Sequence, residues 1–249
     1  PLISKPRDVE FDDGAHSRAV LGFILMSTDL AAEDDVFAIR PQGVGTHITR
    51  LKTEDYTTNE TLARHIDTMG EAASRLQPDM KPNVICYCCT SGSIVNGEDK
   101  VMEAIKAAAP YTKPMTLVTC VVAALKMLKA ENIVVGTPYL DEINRAEADF
   151  LVEKGFNILD MQGLNLETGL EFGRVTPDYW VQFAKEIDQP NADAIFLSCS
   201  GIRSAQVIDE IEQKTGKPVV TSNQAMMWHC LRLAGIDDQI SGFGKLFTY

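Results

Sequence analysis

The sequence predicts an α/β protein made of two pseudo-symmetric Rossmann-like halves, each with a parallel sheet, and an active site in the cleft between them. Three observations predict it. Eight apolar runs of strand length alternate with helical patterns along the 249 residues, and near-continuous Val/Ile/Leu runs are how strands read when helices cover both faces of a parallel sheet. Two strand-to-loop junctions recur at an offset of 110 residues. Each recurring junction ends in small polar residues, and open parallel sheets bind ligands beyond the carboxyl ends of their strands.

The strands are expected at 20–26, 44–49, 82–89, 115–119, 133–137, 156–161, 194–199 and 218–222, each bounded by Gly, Pro or polar residues. A helix is expected over 57–76, where Leu62, Ile66, Met69, Ala73 and Leu76 form one apolar stripe and Thr57-x-x-Glu60 reads as a capping box. Glu33, Asp34 and Asp35 suit the first turn of a helix, where acidic groups complement the dipole. Thr176 before Pro177 marks a helix start, and Gly155 and Gly216 sit where helices stop in a left-handed cap.

The echo pairs Phe23-Ile24-Leu25-Met26-Ser27-Thr28-Asp29 with Ile133-Val134-Val135-Gly136-Thr137-Pro138-Tyr139, and Ile85 to Ser91 with Ile195 to Gly201. A third pair starts at Lys113-Pro114 and Lys217-Pro218 with an offset of 104. This divides the chain into a first half of residues 1–112 plus 218–249, the last segment crossing back to complete the first sheet, and a second half of residues 113–217.

Composition excludes several classes. The formal charge is −12 and the pI about 4.8, so a phosphate backbone or an anionic membrane surface is repelled on average. With 45% hydrophobic and 23% charged residues the chain reads as globular. No apolar run approaches the ~20 residues of a membrane helix. Residues 1–18 mix charges without an apolar core, unlike a signal or transit peptide, so a cytoplasmic location is expected. Six cysteines are too sparse for a disulfide scaffold and suit a reducing compartment.

Cys89 and Cys199 stand at equivalent strand ends, followed by Thr90-Ser91-Gly92-Ser93 and Ser200-Gly201. Such loops present N–H groups that accept a carboxylate, and the same setting is expected to lower a thiol pKa. Cys86, Cys88, Cys120 and Cys230 read as small buried hydrophobes. No metal site is expected: Cys86-x-Cys88-Cys89 lacks C-x-x-C spacing, and His16, His47, His65 and His229 form no paired cluster. His229 is the one histidine that invites a role as base to a cysteine, and packing on a helix face is the plainer role. Serine-hydrolase, dinucleotide and P-loop signatures are missing. Asp29 suits either a helix cap or a substrate contact.

Ser27-Thr28-Asp29, Cys89-Thr90-Ser91-Gly92-Ser93, Thr137-Pro138-Tyr139, Ser198-Cys199-Ser200-Gly201 and Thr221-Ser222-Asn223-Gln224 together resemble the aspartate/glutamate racemase superfamily, in its maleate cis-trans isomerase and arylmalonate decarboxylase branch. The Cys-Thr-Ser-Gly-Ser and Ser-Asn-Gln-Ala-Met-Met-Trp-His runs are most similar to the ectoine-utilisation members of that branch. The resemblance spans about residues 20 to 247. It implies a cofactor-independent isomerase, a racemase or epimerase or a cis-trans isomerase, of a small carboxylate. One thiol stands in each half, Cys89 as the nucleophile or base and Cys199 handling a proton. Asp29, Thr90, Ser91, Tyr139, Ser200 and Gly201 match the substrate-binding positions. The resemblance also implies no cofactor, no nucleic acid or membrane partner, and a homo-oligomer.

Two positions depart from the maleate isomerases. Asp29 stands where they carry an asparagine that contacts a substrate carboxylate, and Gly169 lies near their second asparagine. An aspartate there suits an amino acid or an ectoine-derived compound. Two other readings compete: a carbon–carbon lyase or decarboxylase of a malonate-type acid with Cys199 as proton donor, and a non-catalytic protein that binds a small carboxylate. The decarboxylases have glycine at the first cysteine position, so Cys89 argues for the isomerase.

Overall fold

Eight parallel strands form two four-stranded sheets in a computed structural model that describes residues 3–76 and 81–249. The first two residues of the expected 1–112 segment therefore lie outside the described residues, as do residues 77–80. The strands are β1 (Ala19–Met26), β2 (Val44–Leu51), β3 (Val84–Tyr87), β4 (Lys113–Thr116), β5 (Asn132–Thr137), β6 (Asn157–Gly163), β7 (Ala194–Leu197) and β8 (Val219–Thr221). The helices are α1 (Ala32–Ile39), α2 (Asn59–Ala63), α3 (His65–Ser74), α4 (Thr90–Asn96), α5 (Glu98–Ala108), α6 (Leu117–Met127), α7 (Asp141–Glu153), α8 (Gly169–Arg174), α9 (Pro177–Ile187), α10 (Ile208–Thr215) and α11 (Ser222–Leu233).

The sheet orders are β2-β1-β3-β4 and β6-β5-β7-β8, the same pattern twice. Alternate residues of the strands serve two cores. Leu21, Phe23 and Leu25 of β1 face a central core that also receives Ile133 and Val135 of β5 and Phe196 of β7. Ile24, Ile85, Val134 and Ile195 face the outer helices. Helices α6 and α11 pack on one another, and Leu117, Val121 and Leu125 from α6 join Met227 and Leu231 from α11 in the central core. Each such side chain contributes about 1.5–3 kcal/mol when taken from water.

This topology corrects the expected division of the chain. Residues 113–116 form β4, which pairs with β3 and closes the first sheet, and β8 pairs with β7 and closes the second. The C-terminal segment does not complete the first sheet. Instead its helix crosses to pack on α6, α1 and β3, and Asp238 after that helix pairs with Arg18 of the first half.

Two local readings also shift. Leu117, Val118 and Thr119, expected in a strand, begin α6, whose Thr116 cap accepts from the Thr119 N–H. The helix over 57–76 breaks at Arg64 into α2 and α3, and the capping box is Thr58 with Thr61 instead of Thr57 with Glu60. The stripe itself is buried at Leu62, Met69, Ala73 and Leu76. Thr176 caps α9 with Pro177 in its first turn, and Gly155 and Gly216 have φ of 96° and 71°. No helix among the described residues is long and apolar enough to cross a membrane.

Candidate active site

The carboxyl ends of β1, β3, β5 and β7 converge on one pocket between the halves. Its volume is about 510 Å³, open mouth included, which is room for a small carboxylate. Asp29, Cys89 and Ser91 line it from the first half, and Tyr139, Cys199, Ser200 and Gly201 line it from the second. Seven of the eight expected site residues thus meet. Thr90 does not reach this wall: its hydroxyl lies 2.9 Å from that of Ser222, a link between the halves.

The two thiols are held differently. Cys89 is the N-cap of α4 with an extended backbone, and its Sγ accepts from the Gly92 N–H at 3.2 Å with Ser91 Oγ at 3.7 Å. A glycine is required at 92, because a Cβ there would lie 2.1 Å from the Tyr87 hydroxyl and 3.0 Å from Cys89 Sγ. Cys199 has a φ of +132°, a left-handed conformation that costs a non-glycine residue of order 1–3 kcal/mol. The family-like run after β8 holds it there. Ser222 Oγ accepts from the Cys199 N–H at 3.0 Å, while Asn223 Nδ2 donates to the Ser200 carbonyl at 2.8 Å and to Asp35 at 2.7 Å. Cys199 Sγ accepts from the Gly201 N–H at 3.3 Å.

Burial overturns the expectation of lowered thiol pKa values. Removal from water pushes both thiols up, Cys199 well above the usual range, although the Gly92 N–H, Ser91 and Tyr87 favour the Cys89 thiolate and Tyr139 and the Gly201 N–H favour that of Cys199. Asp29 raises both thiols further, and Cys89 raises Cys199. The Asp29 carboxyl is itself raised by burial. Its Oδ1 caps α1 through the Ala31 and Ala32 N–H groups at 2.9 and 2.8 Å, whereas Oδ2 is buried without a partner. Asp29 is therefore both a helix cap and a pocket residue.

Sequence reasoning missed much of the wall: Thr28, Thr53, Tyr56, Thr57, Thr61, Leu62, His65 and Phe172. His65 is the histidine at the site, and His229 instead stacks on Trp228 along α11. The His65 ring sits three residues after Leu62 on the apolar stripe, a signal that the sequence carried. Burial lowers its pKa to about 4, so it is neutral, and its Nδ1 lies 2.5 Å from the Tyr87 hydroxyl. Gly169 also lines the pocket, and a Cβ there would come within 3.0 Å of Thr28 Oγ1, so a larger residue requires Thr28 to move. No Lys or Arg belongs to the wall. A carboxylate here would be held by hydroxyls and N–H groups.

The remaining thiols fit the packing role. The sulfurs of Cys86, Cys120 and Cys230 lie within 4.8 Å of one another, sealed in the central core. Cys86 and Cys120 are raised by burial, whereas hydrogen bonds from Cys120 and Cys86 lower Cys230, so the three thiols share protons unequally.

A maleate isomerase of Pseudomonas putida is 24% identical over 219 residues, covering 85% of this chain and 87% of that protein. An arylmalonate decarboxylase of Bordetella bronchiseptica is 33% identical over 136 residues, covering 53% of this chain and 56% of that protein. A solved Nocardia farcinica maleate cis-trans isomerase, a cysteine-to-serine variant with a covalently bound succinylcysteine intermediate, superposes with a TM-score of 0.85 at 21% identity, covering 92% of this chain and 98% of that one. The family model of arylmalonate decarboxylase matches residues 42–247, a span that takes in seven of the eight strands and both cysteine turns. By that match the chain belongs to the arylmalonate decarboxylase family, whose relatives include cysteine-based isomerases that need no cofactor.

Proposed function

We propose that this protein is a cofactor-independent isomerase of a small carboxylate that carries an amino-derived group, with Cys89 as the nucleophile or base and Cys199 as the proton donor. The observation that carries the reading is the meeting of two thiols, one from each half, in one pocket with unequal partners. Cys89 has three groups that favour its thiolate, and Cys199 has two and is raised further by Cys89. The thiol with more donors ionises first, and its charge then keeps the second thiol protonated.

Two steps are open to this pair. In a cis-trans isomerisation, the Cys89 thiolate adds to a double-bond carbon and the electron pair moves onto the adjacent carboxylate. The resulting single bond rotates, and the same C–S bond breaks on elimination. The succinylcysteine of the Nocardia protein is an adduct of this type. In a racemisation or epimerisation, Cys89 takes the α-proton and Cys199 returns another to the opposite face. Both steps place negative charge on the carboxylate, where the Ser91 and Ser200 hydroxyls and the loop N–H groups stabilise it. Individual donors of this kind are typically worth about 3 kcal/mol.

Asp29 tilts the substrate toward one with an ammonium or other cationic group, for it brings a carboxyl to a wall to which, among the described residues, no Lys or Arg contributes. Amino acids and ectoine-derived compounds have this character. The test is incubation in D₂O with aspartate, glutamate, maleate, diaminobutyrate derivatives, ectoine and hydroxyectoine, followed by NMR. Deuterium at an α-carbon or a new isomer supports the reading, and neither on any compound overturns it for this panel.

A second reading is favoured by the 33% identity to a decarboxylase: Cys199 protonates a carbanion left by loss of CO₂. Activity that survives Cys89→Ala would select it, since a two-thiol isomerase needs both sulfurs.

A further inference from the structure

The two thiols pose a difficulty that the proposed function leaves open. Cys89 is 7% exposed, and burial favours its neutral form, so its proton needs a path out before the sulfur can react. Among the described residues no charged base is hydrogen-bonded to Cys89 Sγ, and Asp29 acts on it through its charge alone. What lies behind it is a second layer: Tyr87, fully buried at the end of β3, and His65, at the start of α3. The Tyr87 hydroxyl and Cys89 Sγ crowd the same point above Gly92, and the hydroxyl is 2.5 Å from His65 Nδ1. His65 also lines the pocket, and its Nε2 has no protein partner among the described residues. Sulfur, phenol and imidazole therefore form a row that begins and ends at the pocket.

We propose that Tyr87 and His65 are positioning residues that form the proton path of Cys89. In the resting state the thiol S–H points at the Tyr87 oxygen, the Tyr87 O–H donates to Nδ1, and Nε2–H faces the pocket. In the step, the S–H bond breaks and its proton goes to the Tyr87 oxygen as the Tyr87 proton passes to Nδ1 and the Nε2 proton leaves to a pocket water. The thiolate that results accepts a hydrogen bond from Tyr87, and the imidazole ends neutral as the other tautomer. An imidazole with a pKa of about 4 is suited to this, because it changes tautomer without holding a net charge. The titratable groups that face this row are Cys88, which acts on Tyr87, Asp29, which acts on the thiol, and Glu54, which lines the pocket with His65. In the second half Tyr139 stands beside Cys199, and the group that acts on that phenol from behind is the buried Glu147 and not a histidine.

The proposal rests on Cys89 as the working thiol, and the test separates the two. Iodoacetamide labelling of the Cys89 peptide is followed by mass spectrometry from pH 6 to 11 in the native protein, Tyr87→Phe and His65→Asn. Asparagine keeps a donor to Tyr87 but cannot pass a proton on. The expected result is a midpoint about one pH unit higher and a rate at pH 7 about tenfold lower in Tyr87→Phe, which loses the donor to the thiolate, with the plateau at high pH retained, and a midpoint close to the native one in His65→Asn, which keeps that donor in place. A Tyr87→Phe midpoint that does not move overturns the path and leaves Cys89 as the nucleophile. A Cys89 that labels in no form at any pH overturns both.

The relay itself is read in the native protein through ¹⁵N NMR of His65 from pH 6 to 11, before and after methylthiolation of Cys89. A tautomer ratio that changes with the Cys89 titration and stays fixed in the methylthiolated protein supports the path, and a ratio that stays fixed in both overturns it.

Discussion

The two halves repeat one topology, yet the two cysteine turns are built on different principles. Cys89 caps a helix with ordinary backbone geometry, and its surroundings supply donors: Gly92 N–H, Ser91 and the Tyr87 hydroxyl. Cys199 is followed by a turn and a short 3-10 segment instead of a regular helix, and its φ of +132° is sustained by Ser222 and Asn223 from the next strand end. The contrast teaches how a duplicated scaffold can surround two identical buried side chains with different partners. One turn offers more donors to the sulfur, and the other holds its cysteine at a strained backbone angle.

Removal of either sulfur gives the largest effect. Cys89→Ser and Cys199→Ser are each expected to reduce turnover by about 10³-fold, in the range of lost acid–base or nucleophilic groups. Only Cys199→Ser should still form a covalent Cys89 adduct with an unsaturated acid, read as a mass shift of the Cys89 peptide. Adducts on neither variant would mean that the halves do not divide the labour as described.

Opposite pH slopes sharpen the comparison next. His65 in the first half is lowered to about 4, so the unfolded chain binds more protons from pH 6.5 down to 4 and stability falls on acidification. Glu147 on α7 of the second half is fully buried with neither carboxyl oxygen partnered, and it is raised to about 7. The folded chain then holds the extra proton between pH 4.5 and 7, and stability falls as the pH rises through that window. Each slope amounts to about 3 kcal/mol at most. Asp35 on α1 of the first half is likewise raised to about 7 by burial and adds its own decline over the same window, so in Glu147→Gln the fall of the melting temperature toward pH 7 should shrink without vanishing; an unaltered profile would remove Glu147 from the account.

Gly92 and Gly201 occupy equivalent turns and should respond unequally. Gly92→Ala drives a Cβ into the Tyr87 hydroxyl and is expected to cost about 1–3 kcal/mol together with Cys89 reactivity. At Gly201 the nearest atom to a new Cβ is Cys199 Sγ at 3.7 Å, an ordinary contact, so Gly201→Ala should stay within about 0.5 kcal/mol. Urea denaturation of the pair decides.

The smallest expected effect concerns strain alone. Cys199→Gly should be more stable than Cys199→Ala by about 1 kcal/mol because glycine accepts the positive φ, whereas Cys89→Gly gains nothing over Cys89→Ala at its extended cap. Equal differences at the two sites would refute the contrast in backbone conformation.

Much of this was legible in the chain. The apolar runs at β1, β3, β5 and β7 read as strands because both faces are covered, and the 110-residue echo placed Cys89 and Cys199 at equivalent ends. The misreadings have local causes. Leu117-Val118-Thr119 has the β-branched character of a strand, but the Thr116 cap and burial between the sheets turn it into α6. Thr90 carries the same hydroxyl as Ser91, and only the approach of Ser222 decides that it joins the halves instead of facing the pocket. His65 looked like one member of an unclustered set because its partner, Tyr87, is 22 residues away in sequence.

By itself the sequence determined the α/β class, the duplication, which two cysteines share the pocket and most of the small polar residues around them. These follow from period, spacing and residue chemistry, which are local properties. Tertiary structure alone decided that each sheet closes with its own fourth strand, that the run Thr221 to Gln224 positions Cys199, and that Tyr87 and His65 stand behind Cys89. It also reversed the expected direction of both thiol pKa values. The physical reason is desolvation: a loop rich in N–H groups favours a thiolate, but how much water the folded walls exclude depends on packing between the halves, which no local pattern encodes.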